Sequence, residues 1–218
     1  MNSPHDSRND ILGLFNEEGY KDKMLFHDSD GLAFGTWSSS KGNPKASAGL
    51  RRYCAGKLCE VMMMYVSPFS FNTKCYIYTE TDGKNRYELQ KRLDADPALS
   101  KICVVGLDPG GMATSLYRRG GTLLSLATTV FRPVVSVVSA LSSNSSVRTP
   151  AKSAGHALRA AFDTETLGAN PRAVYLNGTQ TWESSAEAKD PAKGEMLWRD
   201  SVRYTKLEGG DTVLAAWN

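Results

Sequence analysis

Blocks of like charge are missing from this chain: no five consecutive acidic or basic residues occur, and 26 Lys and Arg against 23 Asp and Glu leave a net charge of only +3. That excludes an electrostatic footprint for nucleic acid or an anionic membrane surface, so no nucleic-acid partner is expected. Cysteine is sparse. Cys54, Cys59, Cys75 and Cys103 have no metal-ligand spacing, and they read as buried free thiols of a reducing compartment, the cytoplasm, with no metal. No secretory leader is expected either, because MNSPHDSRND is polar. Long apolar runs are nearly absent. The single candidate, 122–141, is split by Arg132–Pro133 and diluted by Ser and Thr, which predicts two short amphipathic helices rather than a transmembrane span. Internal repeats are lacking too.

What is present suits one ordinary domain: 218 residues, 41% of them hydrophobic. Residues 1–49 are loop-rich, with a short turn around Leu12, Leu14 and Phe15 and a stretch of Gly, Ser and Asn-Pro at 31–49. A helix is expected from about Leu50 through RRYCAGKLCEVMMMY, with a continuation in ELQKRLDADP that stops at Pro97. KICVVGL (101–107) is short, apolar and β-branched, as a strand buried on both faces of a parallel sheet would be. Thr149–Pro150 marks a helix start, a capping hydroxyl before a proline at the first helical position. RAVYLNG (172–178) reads as a strand ending in a turn, and GEMLWRDSVRYTKL as a last amphipathic helix. Helix, strand, helices, strand, helix is the second half of an α/β domain.

Two motifs carry chemistry. Tyr53 and Lys57 are four apart on a helix, which places them on one face. A phenol is a poor acid–base at neutral pH, but an ammonium beside it favours the phenolate. Such a pair can move a proton to or from a carbonyl or alcohol oxygen. The second motif, LDPGGMAT (107–114), ends the apolar strand in a Pro-Gly turn. Open α/β sheets bind ligands beyond the carboxyl ends of their strands, and glycine lets backbone approach a cofactor.

In combination, Y-x-x-x-K-L on a helix, a strand, and P-G-x-x-x-T resemble the short-chain dehydrogenase/reductase family, in its retinol-dehydrogenase-like and protochlorophyllide-reductase-like branch found among tailoring enzymes of secondary metabolism. The resemblance runs from about residue 45 to the C-terminus. It implies the later part of a Rossmann-type doubly wound parallel sheet that uses NADP(H). It assigns Tyr53 as catalytic acid–base and Lys57 as the cation that favours its phenolate and binds the nicotinamide ribose, so that both touch the cofactor. Pro109, Met112 and Thr114 would lie against the nicotinamide and its carboxamide. Ser40, thirteen before Tyr53, or the distant Ser3 stands where the family's serine is sought, and neither is assigned. A homodimer through the Tyr53 helix is a further implication.

Two departures accompany the resemblance. No T-G-x-x-x-G-x-G and no N-N-A-G occurs, so the phosphate-binding turn and the first strands are expected to be missing, leaving 1–49 as a loop-rich remnant and 50–218 as a partial domain. The second is an insertion at about 66–87, containing Pro68, which costs a helix interior about 3 kcal/mol. Without it Cys59, Met63, Leu89 and Leu93 form one every-fourth-residue stripe. Residues 65–86 read either as a translated intron, since Met64-Tyr65-Val66 can encode a donor and Arg86 an acceptor, or as a surface hairpin turning at TDGK. Two functions follow: an NADP-dependent reductase or dehydrogenase acting on a lipophilic alcohol or ketone, with 122–141 as a lid, or a catalytically inactive relic of one.

Overall fold

The structure, a computed structural model, describes residues 15, 16, 18–38, 45–63, 88–112, 137, 139, 141, 142, 144, 145, 147–214 and 217. The expected features at Ser3, Leu12, Leu14, Ser40, Cys75 and Thr114, the insertion at 66–87 and most of 122–141 lie outside the described residues.

The architecture is mixed α/β with parallel strands. In chain order it comprises α1 (Ser29–Ala33), α2 (Lys45–Met63), α3 (Glu88–Ala95), β1 (Val105–Asp108), β2 (Gly111–Met112), β3 (Val147–Arg148), α4 (Pro150–Phe162), α5 (Thr164–Leu167), β4 (Val174–Asn177), β5 (Gln180–Thr181), a 3₁₀ turn (Glu187–Lys189) and α6 (Pro191–Thr205). The two apolar runs read as strands pair with each other in parallel, Val105 opposite Val174 through Asp108 opposite Asn177. β5 turns back on β4 in an antiparallel hairpin, with Gly178 (φ +63°) first in its two-residue loop, a position where glycine meets no Cβ penalty. A second small sheet pairs β2 with β3, also in parallel, Gly111 opposite Val147 and Met112 opposite Arg148.

The helices start where cap chemistry dictates. Thr149 Oγ1 accepts from Lys152 N, with Pro150 next, and Asp190 Oδ1 accepts from Ala192 N and Lys193 N, with Pro191 next. The last helix therefore starts at Pro191, ahead of the expected Gly194. α2 likewise starts at Lys45 rather than near Leu50.

The core forms around α2. Ala48, Arg51, Ala55, Leu58 and Met62 are its buried positions, three and four apart. Phe15, Leu25 and Phe26 from the N-terminal segment and Ala188 from the 3₁₀ turn complete the cluster. The Glu187 carboxylate holds that segment in place, accepting from Leu25 N at 3.1 Å and Phe26 N at 2.8 Å while pairing with Lys193 at 2.7 Å. The expected stripe is shifted by one residue: Cys59 and Met63 are half-buried, because Leu58 and Met62 take the face that meets these partners. Leu93 is buried as expected and packs with Val104. Val61 and Leu89 pack against that pair.

Two further expectations change. β1 begins at Val105 and is half-buried along its length, because among the described residues β4 is its single neighbour in the sheet; Val104, just before it, is buried. Cys54, Cys59 and Cys103 are half-buried rather than buried. Desolvation still pushes the Cys59 thiol up to about 12. Among the described residues no helix is long and apolar enough to cross a membrane.

Because Leu58 is fully buried, Leu58→Ala should cost about 2–5 kcal/mol in urea unfolding. The exposed Leu158 on α4 should tolerate the same change within about 0.5 kcal/mol.

Candidate active site

α2 turns its core stripe inward, and this sets where the candidate pair points. Tyr53 is 49% exposed, on the side away from Ala55 and Leu58. The i,i+4 spacing brings the Lys57 ammonium to 5.9 Å from the Tyr53 ring centroid, at the outer limit of a cation–π contact. Lys57 Nζ also pairs with Glu60 at 2.6 Å. The structure thus brings Tyr53 and Lys57 together with the phenol accessible, and adds an acidic neighbour to the ammonium.

Pro109 and Met112 lie on another part of the chain, past the carboxyl end of β1. Asp108 Oδ1 accepts from Gly110 N at 2.8 Å and closes a tight turn, in which Gly110 has φ +74°. Ser153, on the first turns of α4, donates to the Pro109 carbonyl at 2.7 Å. Met112 follows in β2, paired with Arg148.

Around this turn is a polar group that no sequence motif announced. Arg148 is fully buried. Its Nη1 donates to the Asp108 carbonyl at 2.7 Å and its Nη2 to Asn177 Oδ1 at 2.5 Å. Burial lowers its pKa, with the Asp108 charge opposing; a guanidinium nevertheless keeps its proton. Asn144 Oδ1 accepts from Thr179 N at 3.0 Å and Thr179 Oγ1 at 3.2 Å. His156, on α4, is buried beside them, and its Nδ1 has no hydrogen-bond partner among the described residues. The signal available in the sequence was slight: an Arg directly before the Thr149–Pro150 start, and Asn-Gly after an apolar strand. Among the described residues no group of three or more His, Cys, Asp or Glu is placed to hold a metal ion.

This geometry offers two chemical elements. One is an accessible phenol with an adjacent ammonium. The other is a braced Pro-Gly turn at the carboxyl end of a parallel strand, where α/β sheets receive ligands.

Comparison with known proteins gives one informative relative. The chain is 37% identical, over 217 residues, to the short-chain dehydrogenase iccH of Talaromyces variabilis; the match covers 98% of this chain and 53% of that protein. The chain thus spans about half the length of the curated relative it matches. No family model matches the chain. No solved structure matches it.

Burial lowers the His156 pKa, and the nearby cations Arg148, Lys152 and Arg159 lower it further. The unfolded chain then binds the proton more readily, so stability rises with pH. The contribution is complete above the ordinary histidine value of about 6.5 and is lost as pH falls through the lowered folded value. Urea titrations from pH 8 to pH 5 should show this loss, and His156→Phe should flatten it.

Proposed function

Starting from this chain's kinship in sequence with a short-chain dehydrogenase, we propose that it represents the later part of a Rossmann-type reductase that interconverts a carbonyl and an alcohol with NADP(H). The observation that carries the reading is the match along nearly the whole chain, within which Tyr53 and Lys57 stand four apart on one helix with the phenol open to solvent.

The residues present fit the nicotinamide end of such a cofactor. Gly110, at positive φ, shapes the turn and leaves room for the buried Arg148 side chain, against which a Cβ would stand 3.0–3.1 Å away. Pro109 and Met112 would supply apolar surface beside it, and the family resemblance also assigns Thr114, outside the described residues, to the carboxamide. When bound, the nicotinamide supplies or accepts the hydride. Tyr53 Oη would give its proton to the carbonyl oxygen, or take it back in the reverse direction. Lys57 would stabilise the resulting phenolate and hold the ribose. Ser40 and Ser3 remain the two candidates for a hydroxyl that orients the substrate. The substrate class is a lipophilic alcohol or ketone of secondary metabolism, with 122–141 as its lid. A cytoplasmic location and a homodimer through α2 belong to the same reading, as do the unit boundaries 1–49 and 50–218 with an insertion at about 66–87.

A second reading, an inactive relic, is favoured by one observation. The Lys57 ammonium is engaged by Glu60 at 2.6 Å, which competes with its role beside Tyr53.

NADPH titration against the fluorescence of the four tryptophans separates the two. A reductase gives saturable quenching and consumes NADPH with lipophilic ketones; a relic gives neither. In an active protein Tyr53→Phe should lower kcat about 10²–10⁴-fold, the usual worth of a general acid, with NADPH affinity changed only a few-fold. Glu60→Gln should raise activity by releasing Lys57, and unchanged or lower activity would remove Glu60 from the account.

A further inference from the structure

We infer that Arg148 is a positioning residue for the Asp108–Met112 turn, holding Pro109 and Met112 in the geometry that the reacting end of the cofactor meets. The inference rests on the reductase reading for the identity of that ligand, but not for the structural action of Arg148.

Arg148 is tied to three strands at once. Its backbone lies in register with Met112 across the β2–β3 pair. Nη1 reaches the carbonyl of Asp108, the last residue of β1, and Nη2 reaches the side chain of Asn177, the last residue of β4. The side chain lies against glycines at two turns. A Cβ on Gly110 would stand 3.0–3.1 Å from Cδ, Cγ and Nε; one on Gly178 would clash first with Asn144 Oδ1 and stand 3.1 Å from Nη2. Both glycines have positive φ, so substitution at either meets backbone strain as well, and at Gly110 the steric neighbour is the Arg148 side chain.

Stability alone does not account for this arrangement. A buried cation is costly, and well-packed apolar residues in such places are often as stable or more so. Here Nη1 and Nη2 bond to neutral acceptors, Nε has no hydrogen-bond partner among the described residues, and the Asp108 charge offsets the cost only in part. What a guanidinium provides instead is a rigid planar fork that can hold two acceptors at a set separation, which lysine cannot do. The two acceptors belong to the ends of β1 and β4, so the fork sets where the turn leaves the sheet. Ser153 fixes the same turn from α4 through the Pro109 carbonyl.

The test uses the full chain with Arg148→Lys, Arg148→Met and, should the methionine variant fail to fold, Asn177→Ala, which removes one acceptor and leaves the arginine. Amide hydrogen exchange, urea stability and the NADPH dissociation constant are measured on each. The inference expects exchange at Gly110, Gly111 and Met112 to accelerate about tenfold or more, as for one lost charge-assisted hydrogen bond, while amides in α6 keep their protection. It expects NADPH to bind correspondingly more weakly, with Arg203→Met, an exposed control, unchanged. Unchanged exchange at 110–112 overturns the inference. So does uniform acceleration across the molecule, which marks a residue serving general stability. If the parent chain binds no NADPH, the reductase reading falls for this chain, and the local exchange pattern alone decides for or against Arg148.

Discussion

One buried amide connects the helical part of the molecule to its sheet. Gln90, 1% exposed on α3, accepts from Val104 N at 2.7 Å and donates to the Ile102 carbonyl at 3.1 Å and to Asp94 at 2.8 Å. A buried amide left without partners would be strongly unfavourable, so these bonds leave the chain at 102–104 little choice of course. The parallel ladder begins there: Ala173 N donates to the Val104 carbonyl at 3.0 Å, and Val105 and Val174 then stand opposite each other. Register propagates without further choice. Three residues on, Asp108 and Asn177 come level, and that puts a backbone carbonyl and a side-chain oxygen side by side at the carboxyl end.

A second attachment operates at the other end of the molecule. Glu187 accepts from two consecutive backbone amides of the N-terminal segment, and Arg51 stacks at 3.9 Å over Tyr20 while donating to Ser38. Both draw residues 15–38 onto the inner face of α2. The outer face is left with Tyr53, Lys57 and Glu60. Burial and accessibility on this helix are therefore two aspects of one packing choice: the stripe that fills the core determines which face is left open to solvent.

Much of this was legible in the sequence, and the reasons differ by element. Thr149–Pro150 was readable because a capping hydroxyl and a proline act locally. Asp190–Pro191 carries the same signal, and the expected start at Gly194 missed it by following the amphipathic run instead of the cap. The two apolar strands were readable as strands and as parallel partners, since short β-branched runs separated by helices admit few other arrangements. The one-residue shift on α2 was not readable, because its cause lies in Leu25, Phe26 and Ala188, which no local period connects to the helix. The Arg148, Asn177 and His156 group was equally hidden. These are single polar residues whose meaning comes from strand register, and register is a property of pairs of distant segments. Tyr53 and Lys57 were legible as a spacing, whereas the engagement of Lys57 by Glu60 depends on side-chain rotamers.

The parallel pairing of β1 with β4 also bears on how the molecule comes together in time. The two strands are far apart in sequence, with β2, β3, α4 and α5 between them. An antiparallel hairpin such as β4–β5 closes a two-residue loop and can form early. The β1–β4 ladder must first accept the entropy loss of closing a long segment before any of its hydrogen bonds reward it. Local helices and the β4–β5 hairpin are thus candidates for the early structure, and the sheet for the late one. Until that closure, the carbonyl of Asp108 and the amide of Asn177 are strangers in the chain, and the carboxyl end of the sheet that Arg148 braces does not exist.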